Sequence, residues 1–274
     1  MSGPLDIVFS RGSPIEDEGH HYAAFVELCH SIKHHTEFVD QSFRTLAKLV
    51  HTSSSSMSYD FLNLRPITHP IMMHLAQAIK DVFSPAEKAF MRSYVAFHDI
   101  VGCLRGYESG EIDSIPFQRV TVSNLAIARD ALRSSVEHIP HAQNTLQTAQ
   151  LQLIEALSFP TGIDFALRNV IPAALLPAYI NRRVETLGHL SPLLQSMAIS
   201  LDALYNALRV VNSLYFPMFE SLTAERMEEK RNDPEFHQSL YDVAFPLYRA
   251  QEGLDKLAYV DTFQKIANSR LRNW

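Results

Sequence analysis

Apolar residues recur along this chain at intervals of three and four. Tyr22, Phe25, Cys29, Ile32, Thr36, Val39, Phe43, Leu46 and Val50 fill the a and d positions of one heptad series, and all but Thr36 are apolar. That spacing returns each side chain to one face of a helix, whereas a half-buried strand needs strict alternation. Val26, Leu28, Ala47 and Leu49 widen the stripe, so this helix is expected to pack against more than one neighbour. A second long series runs through Met197, Leu201, Leu204, Leu208, Val211, Tyr215, Met218 and Leu222. A third runs through Phe236, Leu240, Val243, Leu247, Leu254 and Leu257.

Prolines supply the punctuation. Ser13-Pro14-Ile15-Glu16 places serine at N-cap, proline at the first helical position and glutamate at the third. Ser84-Pro85-Ala86-Glu87 repeats the signal, while Ser191-Pro192 and Asp233-Pro234 open the two later series. By these signals the middle of the chain divides into shorter helices. One spans Pro70 to Phe83, the next starts at Ser84-Pro85, a third is closed by Pro140, and another covers about Gln143 to Leu157. Pro116 to Ser123 suits a short strand as well as a helix, through Val120 and Val122. Pro217 and Pro246 fall inside the last two long helices and are expected to kink them. The final helix is expected to reach about Arg270.

The predicted fold is all-α: an elongated antiparallel multi-helix bundle with three long helices, two of them proline-kinked. It forms one domain over residues 1–274, with a subdivision left open near 158–162 and an N-terminal arm over 1–12. Helices of 35 to 40 residues would each be about 50–60 Å long.

Composition changes this picture little. Of 274 residues, 46% are hydrophobic and 20% charged, enough for a core that needs neither disulfide nor metal. The net charge is −6, and basic residues come only in small pairs such as Arg182-Arg183. A nucleic-acid binder would show a basic stripe, so none is expected as partner. Cys29 and Cys103 sit on or beside apolar helical faces and read as buried free thiols, with one disulfide as the alternative. The most apolar stretch, Ile163 to Ile180, contains Asp164, Arg168, Pro172 and Pro177 and does not read as a transmembrane span. A soluble, cytoplasmic protein is expected.

Candidate chemistry is sparse. Glu27-x-x-His30 with His34 one turn on has a spacing used in metal-binding bundles. The heptad places these three opposite the apolar seam, so no metal site is favoured. Phe216, Met218, Phe219, Phe245 and Tyr248 cluster near Pro217 and Pro246. They suit a core, or an inter-helix pocket for an apolar molecule such as a lipid or haem. Phosphate-binding, H-E-x-x-H and dinucleotide motifs are absent. The expected function is therefore a non-enzymatic helical interaction or scaffold module that binds a protein partner or itself, without a cofactor. The alternatives are an apolar-ligand carrier, a metal-dependent enzyme, and a membrane-active protein inserting Ile163 to Ile180.

Overall fold

The first heptad series is buried as its spacing predicts. Phe25, Cys29, Ile32, Thr36, Val39, Phe43, Leu46 and Val50 all lie in the core. They belong to α1 (Glu18–Ser54) of a computed structural model that describes residues 18–54, 65–111, 119–158, 176–220, 224–230 and 232–255. The other elements are α2 (Arg65–Glu108), α3 (Arg119–Leu157), α4 (Leu176–Val210), a π turn (Val211–Tyr215), α5 (Phe216–Glu220), α6 (Ala224–Glu229) and α7 (Pro234–Asp255). The chain is an all-α multi-helix bundle, with no strand among the described residues. Val120 and Val122, the candidate strand residues, lie in the first turns of α3.

Five helices close into a ring. α2 packs along α3, α3 on α4, α4 on α1, α1 on α7, and α7 back on α2. Cross-helix contacts give the directions. Arg92 bonds to Asn124 while Ser135 bonds to Val82, so α2 and α3 are antiparallel. Glu108 meets His237 and Tyr94 meets Tyr248, so α2 and α7 are antiparallel too. Gln150 reaches Ser191, and the π turn that follows α4 packs back on α3. Along α1, Phe25 stands level with Phe97 through Phe219, and Lys33 reaches Glu252. α1 therefore runs alongside α7 in the same direction.

The helix boundaries differ from those the prolines suggest. α2 continues through Pro70 and Pro85, α3 through Pro140, and α4 begins well before Pro192. Four helices, of 37, 44, 39 and 35 residues, are therefore long, where three were expected. At Pro85 the reason is visible. An interior proline donates nothing to the carbonyl four residues back and crowds the backbone of the preceding turn. At Pro85 that carbonyl is Asp81's, so one bond of the ladder is forgone, and beside it Ser135 of α3 donates its hydroxyl to the Val82 carbonyl at 2.6 Å, in the buried interface. Phe83, Ala86, Ala89 and Phe90 are all essentially solvent-free, so packing continues unbroken past the proline. Ending the helix at Ser84 would forfeit that burial.

Pro217 has a different effect. The residues before it widen into the π turn, where the Phe216 N–H donates to the Val211 carbonyl. Proline lacks the N–H that would serve Ser213 in a regular helix, and the wider turn accommodates the gap. α7 is continuous through Pro246. The Ser13-Pro14 start and the stretch from 256 to 270 lie outside the described residues.

Losing the Ser135 hydroxyl removes a buried hydrogen bond between α3 and α2. Ser135→Ala is expected to lower unfolding free energy by about 1–2 kcal/mol in a urea titration. In the Pro85→Ala background the same change is expected to cost about as much, because the amide restored there serves the Asp81 carbonyl and not that of Val82. A loss that vanishes in the Pro85→Ala background would contradict an independent role for Ser135.

Candidate functional site

The structure places the sequence candidates at several separate sites. Glu27, His30 and His34 are exposed on the outer face of α1, as the heptad implies. His34 stacks edge-on against His35, with ring centroids 5.3 Å apart. Among the described residues no group of three or more His, Cys, Asp or Glu side chains converges closely enough to hold a metal.

The five residues near the prolines divide in two. Phe216 and Phe219 are buried and pack with Phe25 and Phe97, while Met218 is half-buried against the same core. Phe245 and Tyr248 lie on the outer side of α7, 58% and 41% exposed. There they join a seam with α2 that largely satisfies itself. Tyr248 packs on Tyr94 at 5.3 Å, Arg249 lies over Phe245 at 5.0 Å, and Arg105 lies over Tyr241 at 5.3 Å.

Two buried polar groups and one helix cap mark further places. His237, in the first turn of α7, gives its Nδ1 to Glu108 at 2.6 Å, and its Nε2 is enclosed without a partner. A carboxylate only accepts, so Nδ1 carries the proton. With the ring enclosed and Glu108 half-exposed, the pair fastens the end of α2 to the start of α7. Asp233 caps α7 through the Glu235 and Phe236 amides, and its carboxyl is held below the usual range, mainly by the Phe236 bond and then by Lys230. On α1, Asp40 accepts from Arg44 at 3.2 Å, while its second oxygen is buried without a partner. Burial raises the Asp40 pKa against the opposing pull of Arg44. Cys29 and Cys103 are both free thiols. Burial pushes the Cys29 thiol far above its ordinary range, and Tyr215 is raised by burial and then by Cys29.

The most distinctive surface lies elsewhere. From His138 to Ile154 on α3, and from Thr186 to Leu201 on α4, there is no Asp, Glu, Lys or Arg, in a chain that is 20% charged. The Gln150–Ser191 hydrogen bond sets these stretches side by side. Because the helices are antiparallel, Ile154 falls level with Leu187 and Ile139 level with Asp202. The two uncharged runs therefore coincide along their lengths. Leu151, Val184 and Ile199 stand on or at the edge of this face, 66%, 62% and 63% exposed. Leu187, Leu193 and Ala198 are only partly covered, so apolar side chains occur around much of α4. A helix apolar on several sides is ordinarily covered on several sides. The signal was present in the sequence as two charge-free runs, but placing helix boundaries at Pro140 and Pro192 cuts each run in two.

No protein-family model matches the chain, and no curated protein matches it. Among the described residues, no helix is long and apolar enough to cross a membrane.

Two measurements check the buried groups. An acid whose folded pKa exceeds its unfolded value binds its proton more tightly in the folded chain. Its contribution to stability is therefore present below the ordinary aspartate range and is lost as pH rises through the raised folded value. Wild type is expected to gain thermal stability relative to Asp40→Asn as pH falls from 7 toward 4.5. Parallel pH profiles would contradict the burial of Asp40. In native protein, Cys103 is expected to react with a thiol reagent before Cys29, and Cys29 to react only as the chain unfolds.

Proposed function

We propose that the chain is a non-enzymatic helical interaction module that works through the uncharged outer face of α3 and α4. The supporting observation is the coincidence of two charge-free helix runs carrying exposed Leu151 and Ile199, with exposed Val184 at their edge. Protein interfaces are set apart by depletion of charge at their centres, more than by overall apolarity. Gly188 adds to this. It is exposed within α4, with no atom within 4 Å of where a Cβ would stand. A glycine inside a helix costs roughly 0.5–1 kcal/mol relative to alanine. At this position it keeps the surface low, so that another backbone can approach.

Photo-crosslinking tests the reading. A photoreactive amino acid is placed in turn at Leu151, at Ile199 and, as a control, at the exposed Glu27 on α1. The expected result is an adduct of one discrete mass shared by the first two positions and missing from the third. No adduct at either face position, or the same adducts at all three, would remove the proposal.

A further inference from the structure

The occupant of this face can be named more closely, on the premise that the face is an interaction site. We infer that it docks a second copy of the same chain, face to face about a two-fold axis.

The argument is one of complementarity. The polar side chains of the two runs are amides, hydroxyls and imidazoles, among them Asn144, Gln147, Thr148, Gln152 and Gln195, with His141 and His189. Each can both donate and accept a hydrogen bond, so each can pair with its own kind. A carboxylate cannot pair with a carboxylate, nor an ammonium with an ammonium, and the centre holds neither. The rim carries both signs. Arg133 and Glu137 on α3, with Asp202 and Arg209 on α4, close one end, and Glu155 and Glu185 stand at the other. A partner chosen by charge would meet a rim of one sign. A mixed rim around a neutral centre suits an identical copy, because the chain as a whole carries −6 and repels itself wherever charge is exposed. Closed two-fold pairs are the commonest assemblies, and they require a self-complementary patch.

Size sets the expected strength. The two uncharged stretches are each about 24 Å long, and adjacent helices lie roughly 10 Å apart. The face then covers about 500 Å² per copy. A pair would hide about 1,000 Å², the lower bound for a specific interface. The dimer is therefore expected to be weak, with a Kd of about 1–50 µM.

Sedimentation equilibrium of the full chain at pH 8, from about 1 to 300 µM, tests this. Wild type is expected to pass from monomer to dimer across that range. Raising salt is expected to leave the dimer unchanged or tighten it, since no ion pair lies at its centre. Leu151→Lys with Ile199→Lys is expected to raise Kd at least tenfold. Both residues are mostly exposed, so helical circular dichroism and Tm of the dilute variant should match wild type. Gly188→Trp, which blocks the face sterically without adding charge, should do the same. A wild-type chain that stays monomeric at 300 µM overturns the inference, as does a dimer that survives all three substitutions. A crosslinked adduct whose mass is not twice that of the chain overturns the second copy as occupant but leaves the interaction reading standing. Absence of any adduct removes both.

Discussion

A closed ring of five helices cannot alternate in direction all the way round. With an odd number, at least one neighbouring pair must run parallel, and here that pair is α1 and α7. The other four contacts in the ring are antiparallel. The parallel pair is also where an ion-pair relay crosses between helices, from Lys33 to Glu252 and on to Arg249. At side-chain exposures of 23% to 41% these pairs are worth little individually. They do favour one register over others. Contacts at the opposite end of α7 follow from the same constraint. α7 must start beside the end of α2, where Tyr107 reaches Asn232 and Glu108 holds His237. The chain leaving α4 must cross the end of the ring to get there. The π turn and α5 make that crossing, and they place Phe219 against both Phe25 and Phe97.

Most inward-facing residues were legible in the sequence from their helical spacing, although Met218 and Val243 of the predicted series are only partly buried. Met197, Leu201, Leu204, Leu208, Val211 and Tyr215 are all buried, as are Phe236, Leu240, Leu247 and Leu254. Periodicity reports which side of a helix is covered, and nothing about tertiary structure is needed to read it. The helix ends at proline were legible only in part. Ser84-Pro85 and Asp233-Pro234 look alike as local signals, yet the first lies inside α2 and the second begins α7. What keeps the first inside a helix is remote in sequence. Phe83, Ala86 and Phe90 are buried on both sides of Pro85 and Ser135 of α3 bonds to the Val82 carbonyl, whereas Asp233 caps the free amides of a new helix locally. A local motif cannot say which partner another helix will bring.

The uncharged face was hidden for a related reason. Charge-free runs are informative only when their helices are continuous and their mutual register is known. Once α3 extends past Pro140 and α4 begins before Pro192, both runs become whole, and the Gln150–Ser191 bond aligns them. The opposite holds for the aromatic residues near Pro217 and Pro246. They are close in pattern along the chain, yet the crossing between α4 and α7 sends Phe216 and Phe219 inward and leaves Phe245 and Tyr248 outside.

The odd ring also makes the two ends of the bundle electrically unequal. In an even antiparallel bundle the helix dipoles cancel in pairs, but here three helices point one way and two the other. One dipole remains, equivalent to roughly half an elementary charge at each end. Its positive end gathers the starts of α1, α3 and α7, and acidic residues stand there in the sequence, Glu18 on α1 and Asp233 with Glu235 on α7. Two copies joined face to face about an axis perpendicular to the helices would set these residual dipoles head to tail. About an axis parallel to the helices they would add.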